Sequence, residues 1–447
     1  MTSHVRRPPS PPGLPLVGNF LAWLRDPFGV PERWAREHGD IVAMHAFGST
    51  TLMLFAPDPV GELLVKNEAS TRKSPLTRGM SCITGDSVVT ITGEPWKRRR
   101  RLLDPAFRTA QLARYARIVR RHAERYADRW LAAPPCDIHA ETLEFMFDSL
   151  VDVLTDAPLG AEDRAILRRG FEVFWADFSS REFVALSQMT NGEPYRRLVT
   201  PRRWRQKRLL AEFDRIIGDL VRRAREAPGE DLLSALLPSV DRDGGLARHE
   251  LHEDVITVIL AAQETTAMGL TMALDLLARH PDVWARVQAE VDTITGDLDD
   301  LAALPYTDAV TREALRLYPP LWGVAREAIA PFSLSGYSVV PGMLLVAAAW
   351  VIQRDPRWWG ADALTFRPER WLEHNPSTRP RFAWFPFGAG PHLCIGMRFA
   401  MMEMVFALAT WARRLRFHAE SAPPALTTAV TVRPRHPMSL RITARTI

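Results

Sequence analysis

Two short stretches of this chain carry residue types and spacings that could do chemistry. The first, Phe387-Gly388-Ala389-Gly390-Pro391-His392-Leu393-Cys394-Ile395-Gly396, sets one cysteine in a glycine-punctuated loop ahead of an apolar helical pattern. Glycine lets a backbone turn tightly and approach a flat cofactor closely. A helix beginning just past the loop directs partial positive charge back at Cys394, which favours the thiolate, the form that ligates metals. The competing reading is a buried, inert thiol, the common state of an unbonded cysteine. The run is too specific for that reading to be the better one. The second stretch, Ala261-Ala262-Gln263-Glu264-Thr265-Thr266, puts an acid beside an alcohol within a long helical pattern. Small residues leave room beside the helix, the alcohol can bond back to its own backbone, and a positioned acid can deliver protons. Taken alone, a polar pair on a helix is the commoner meaning.

The cysteine loop resembles the haem-binding loop of the cytochrome P-450 haem-thiolate monooxygenases, of the soluble bacterial type. The resemblance extends from about Pro12 to Ile442. It implies that Cys394 is the axial ligand of iron in haem b (iron protoporphyrin IX), donating electron density that favours O–O cleavage. It also implies that Phe387, Gly388, Gly396 and Ala261 lie along the cofactor. Thr265 would hold dioxygen and Glu264 would relay protons to it, which favours reductive activation of dioxygen over direct use of peroxide. Trp96, Arg100, Arg326 and His392 would hold the propionates. Trp96 and Arg100, at i,i+4, share a helical face, whereas Arg98, Arg99 and Arg101 are expected at solvent. Glu313, Arg316 and Arg370 would form a buried structural triad behind the loop. The chain departs from the family pattern at His392, where Arg is frequent, and at Ala262, where Gly is usual.

Substrate walls follow by position within the same resemblance. Met80 and Ile83 come from the loop 75–92, Val258 and Ala262 from the central helix, and Trp322 and Val324 from the segment after Pro319. Val430, beside Ala429, would form a tip of the terminal hairpin. Phe174 and Phe178 belong to an aromatic run with Phe171, Trp175 and Phe183, whose plain reading is helix core. The walls are apolar and no fixed charge is evident near iron, so the expected substrate is lipophilic, terpenoid or fatty-acid-like. Expected chemistry is insertion of one oxygen atom. Oxidative coupling or desaturation of an aromatic or peptide substrate is the alternative on the same haem. A haem sensor or carrier is the alternative from another class, and the acid–alcohol pair speaks against it.

These residues need elements to hold them. The chain has 447 residues, 47% hydrophobic and 24% charged, the balance of a globular enzyme with a sizeable core. Residues 41–57 read as a hairpin about Gly48, and helical patterns dominate from 105 to 295. Asp254–Arg279 reads as one helix stopped by Pro281, about 40 Å long at 1.5 Å per residue. Strands return between Phe332 and Ala349, helix over Ile395–Leu415, and strands again in the tail. The fold class expected is mainly α with small β-sheets. The resemblance gives a single-domain P-450 fold with the haem between the long central helix and the cysteine-loop helix. Residues 1–11 read as a proline-rich leader and 12–447 as the catalytic domain.

Charge and cysteines bound the partners. The net charge is +5. Lys97–Arg101 is a basic run, and the resemblance turns its helix toward a redox partner. No flavin or iron–sulfur segment is evident, so an external acidic ferredoxin or flavodoxin with its reductase is expected, steered by charge. The basic stretch Arg196–Arg208 reads as a solvated face, with no nucleic-acid motif beside it. Three cysteines, Cys82, Cys136 and Cys394, argue against a disulfide framework and for a reducing cytoplasm. No uninterrupted apolar run is long enough to span a membrane, and no membrane anchor is expected. A monomer is expected.

Overall fold

Branched apolar residues on either side of Gly48 build the first hairpin in the computed structural model. Strand β1 (Ile41–Ala46) pairs antiparallel with β2 (Ser49–Leu54), and Gly48 takes the left-handed φ of +80° that the turn requires. The structure describes residues 7–446 apart from 16, 47, 134–136, 157, 193–200, 241–244, 297–299, 374–378 and 429. Arg196 and Arg197, Cys136 and Ala429 therefore lie outside the described residues. The chain divides into two compact units, one of residues 1–74 and 312–394, the other of 75–311 and 395–447.

The first unit holds the larger sheet. Its further strands are β3 (Thr71–Lys73), β4 (Val324–Ala328) and β7 (Leu344–Ala347), while β5 (Phe332–Leu334) and β6 (Tyr337–Val339) form a separate hairpin. The sheet order is β1-β2-β7-β4-β3, with β2 and β7 the parallel pair. Leu52, Leu54, Leu345, Ala347 and Phe385 meet in its core. Strand β4 lies outside the expected strand patch because Arg326 and Glu327 interrupt its apolar pattern. The proline-rich segment is fastened to this unit. Pro9 accepts from the Ala43 amide at 2.8 Å, and the Asn19 side chain donates to the Pro11 carbonyl at 3.1 Å.

The second unit is helical. Its helices of eleven or more described residues are α1 (Gly93–Leu103), α2 (Thr109–Ala132), α3 (Ile138–Leu154), α4 (Ala161–Phe178), α5 (Pro201–Glu226), α6 (Arg248–Arg279), α7 (Pro281–Asp292), α8 (Pro305–Leu317) and α9 (Met397–Ala412). The last residues of α8, from Arg312, belong to the first unit. Helix α6 starts earlier than expected because Glu250 accepts from the Ala247 amide at 2.8 Å, satisfying an otherwise orphaned donor. Pro281 also opens α7, where its missing N–H is harmless. Helix α6 packs on α3, where Gln263 donates to the Leu143 carbonyl. Helix α9 packs on α2, with Trp411 donating to the Ala123 carbonyl at 3.0 Å.

Helix α9 ends before Leu415, which begins β8 (Leu415–Ala419). Short hairpin strands β9 (Leu426–Thr428) and β10 (Val432–Pro434) follow, and β11 (Leu440–Ala444) pairs with β8. By length and mean hydropathy α6 could cross a membrane even with Glu264 inside it, although no uninterrupted apolar run marks it. Its most apolar stretch is 78% buried in the protein, as a core helix is.

Candidate active site

The loop carrying Cys394 is held by its own backbone. The Cys394 amide donates to the Phe387 carbonyl at 3.0 Å and the Leu393 amide to Gly390 at 3.1 Å. Gly388 and Gly390 have φ of +73° and +68°. At Gly390 a side chain is barred twice, because a Cβ would stand 2.1 Å from the Leu64 carbonyl oxygen. Cys394 itself is exposed, so the thiol is not the buried, inert kind.

Behind the loop the structure brings Glu313, Arg316 and Arg370 together. Arg316 donates through Nε and Nη2 to the two Glu313 oxygens, both at 2.8 Å. Arg370 Nε donates to Glu313 Oε1 at 2.8 Å. Sequence reasoning missed three supports. Trp371 Nε1 donates to Glu313 at 2.9 Å. Gln353 accepts from the Phe385 amide at 2.9 Å and donates to the Leu315 and Arg316 carbonyls, tying the loop's approach to α8. Trp359, Trp371 and Trp384 pack in series, tilted and then edge-on, with ring centroids 5.6 and 5.3 Å apart. The many tryptophans were the available signal, but their mutual contact is tertiary.

Of the expected carboxylate-binding groups, Arg326 and His392 lie in this unit. Arg326 is 8% exposed, and its one hydrogen bond among the described residues goes to the neighbouring Ala325 carbonyl. Burial lowers its pKa to about 10, with Glu68 opposing the shift. Adjacent Glu327 points the other way, into a two-bond pair with Arg72. His392 Nε2 lies 2.9 Å from Glu68 Oε1, so this nitrogen serves a carboxylate of the protein itself.

In the second unit, α6 is buried on nearly every side through its middle turns, except at Val258, Ala261, Ala262 and Thr265. These positions follow an i, i+3, i+4, i+7 pattern and so share one face. Thr265 donates to the Ala261 carbonyl at 2.8 Å, which orients its hydroxyl along this open stripe. Glu264, one residue earlier, leaves from another side. It is 3% exposed and its Oε1 lies 2.6 Å from Arg433 Nε, with Thr431 donating at 3.3 Å. The acid and the alcohol are neighbours in sequence with separate surroundings.

Helix α1 corrects one expectation. Trp96 is buried, and the guanidinium buried with it is that of Arg99, 2% exposed. Arg99 lies 3.2 Å from both Asp254 and Glu253 on α6. Arg98, also expected at solvent, is half-buried and bonds Glu250 and the Gly245 carbonyl. A basic run does not reveal counter-charges that arrive from a distant helix. Asp254, fully buried, accepts from the Val88 amide at 2.7 Å. Burial pushes its pKa up to about 6 against the pull of Arg99. Arg100 is half-buried and pairs with Asp104 at 2.8 Å, while Arg101 is exposed as expected.

The wall residues divide. Met80, Trp322, Val324 and Val430 are half-buried and Ile83 is buried. Phe174 and Phe178, expected among the pocket walls and read plainly as helix core, are deeply buried. Both are 0% exposed, and their rings pack edge-on or tilted against Phe213 and Phe183 respectively. Helix-core packing therefore accounts for both. Glu403 on α9 was not anticipated. Neither of its carboxylate oxygens has a hydrogen-bond partner among the described residues, and complete burial drives its pKa well up.

The residues suit a haem. An accessible thiol on a glycine loop can ligate iron, and a buried guanidinium whose one hydrogen bond among the described residues goes to a backbone carbonyl can take a propionate. A family profile described as Cytochrome P450 matches residues 8–441. Pentalenene oxygenase of Streptomyces avermitilis is 32% identical over 98% of this chain and 97% of its own. Cyclooctatin synthase of Streptomyces melanosporofaciens is 30% identical, covering 98% and 94%. Cyclooctat-9-en-7-ol 5-monooxygenase of the same organism is 30% identical, covering 91% and 88%.

Proposed function

The chain belongs to the cytochrome P450 family, and we propose that it binds haem b through Cys394 and inserts one oxygen atom into a terpenoid. As a family member it is an oxygen-incorporating oxidoreductase with a haem-iron cofactor, using dioxygen, a redox partner's electrons and a lipophilic substrate. The observation that carries the proposal is the exposed Cys394 thiol in a loop where Gly388 and Gly390 take left-handed φ and Gly390 has no room for a side chain. Bound there, the haem supplies dioxygen activation with the thiolate as donor. Arg326 holds a propionate, with Trp96 and Arg100 as further candidates on α1. His392 orders Glu68 beside it. Thr265 positions dioxygen by hydrogen bonding from the open stripe of α6, and Ala261 and Ala262 keep that stripe narrow. Glu264 relays protons. The buried triad of Glu313, Arg316 and Arg370 gives the cysteine loop its shape.

The terpenoid class rests on the relatives, whose names describe pentalenene and cyclooctatin chemistry. Electrons come from an acidic ferredoxin or flavodoxin. The protein works as a cytoplasmic monomer, its catalytic domain beginning near residue 12. The test is spectroscopic first. The reduced carbon-monoxide complex should show the strongly red-shifted Soret band of thiolate ligation, and Cys394→Ser should lose it. Thr265→Ala should keep substrate-induced spin-state change while diverting reductant to peroxide. Unaltered coupling in Thr265→Ala would remove that residue from the oxygen chemistry.

A further inference from the structure

Beside Glu264 the second unit leaves two buried hydrogen-bond donors unspent. Arg433, on β10, uses Nε on Glu264 at 2.6 Å and on Thr431 at 3.1 Å. Its Nη2 is buried without a hydrogen-bond partner among the described residues. The guanidinium carbon stands 5.7 Å from the centre of the Trp175 ring on α4. Trp175 is 6% exposed, and its Nε1 is likewise buried without a partner. Buried N–H groups without acceptors are unfavourable and rare, and an acceptor supplied by a ligand is one of the few things that accounts for them. Two such donors sit on neighbouring side chains, next to the acid Glu264.

We propose that Arg433 Nη2 and Trp175 Nε1 take a hydroxyl or carbonyl oxygen of the substrate, and so select a terpenoid that already carries oxygen. The inference rests on the terpenoid reading above and narrows it. A neutral acceptor fits better than a carboxylate, because Glu264 already supplies Arg433 with a counter-charge at 2.6 Å. The indole ring gives the carbon skeleton an apolar face beside the polar hook. A site built to donate to an oxygen atom discriminates strongly against the analogue lacking it, since its donors are then left buried and unpaired. An earlier oxidation, or a water-capturing cyclisation, must therefore supply the substrate of this enzyme.

The test is a spin-state titration of the haem-loaded protein with three ligands of one skeleton, a terpene hydrocarbon, its alcohol and its ketone. Thermal shift serves as a second binding readout. The alcohol or ketone should bind roughly 10- to 100-fold tighter than the hydrocarbon. Trp175→Phe, which leaves the Glu264 pair in place, and Arg433→Met should each erase most of that preference. A hydrocarbon that binds as well as its oxygenated forms overturns the subsite and leaves the terpenoid reading standing, the two donors then serving only bound water. A preference that survives both substitutions overturns the assignment to these residues. No response to any of the three in either readout overturns the subsite together with the terpenoid reading.

Discussion

Glu313→Gln should cost the protein more stability than any exposed ion pair could. The carboxylate is 0% exposed and accepts from Arg316, Arg370, Trp371 and the Arg367 amide. An amide keeps one acceptor oxygen but turns its NH2 toward a guanidinium, and two buried cations lose their shared counter-charge. Removing one partner of a buried network costs about 3–5 kcal/mol. The lower end applies, because Arg316 retains the Gln353 and Ala363 carbonyls and Arg370 retains Asp362.

Unfolding entropy is about 2.1 cal/mol/K per residue. If all 447 residues melt together, a loss of about 3 kcal/mol lowers Tm by about 3 °C. If the unit holding the triad melts by itself, roughly a third of the chain, the shift is about threefold larger. Calorimetry gives the shift. Glu420→Gln at the exposed Arg441 pair is the control and should change nothing measurable. A Glu313→Gln protein within about 1 kcal/mol of wild type would falsify the argument that this network is a buried, mutually dependent one.

Three further outcomes are expected. Asp254 binds its proton more tightly folded than unfolded, its pKa rising from 3.8 to about 6, so wild-type stability should fall as pH rises across that interval. The loss is about 2–3 kcal/mol, set among Arg99, Glu253 and Glu250, and urea unfolding should show it absent from Asp254→Asn; an equal slope in both proteins refutes it. Reversing the exposed Lys97 and Arg101 to Glu should slow reduction by an acidic partner at low salt without moving Tm, whereas Arg99→Glu should mainly destabilise, and stopped-flow reduction with thermal melts separates these. Gly390→Ala meets both a left-handed φ of +68° and the Leu64 carbonyl, so haem content per protein should drop several-fold, and full loading would show that the loop can move aside.

Legibility in the sequence followed the range of the interactions. Cys394 and its glycines could be read directly because a left-handed turn is a local steric demand. The open stripe of α6 was partly visible, since small residues at 261 and 262 are adjacent in the chain. Arg99 was misread because its partners Glu253 and Asp254 stand far along the chain, on another helix. Phe174 and Phe178 were ambiguous because an aromatic residue looks the same whether its neighbour is a ligand or Phe213. Strand β4 was missed because its charged pair hides the alternation.

By itself, the sequence determined the glycine-punctuated cysteine loop, the acid–alcohol pair, the mainly helical class and the family, all carried by local patterns whose backbone needs are local. Only the tertiary structure decided how charge is distributed. It placed Arg99 inside and Arg101 outside, set His392 Nε2 against Glu68, turned Glu264 toward Arg433 and left Arg433 Nη2 and Trp175 Nε1 without partners among the described residues. The physical reason is that burial and pairing set what a charged group does, and both are properties of groups brought together from distant parts of the chain.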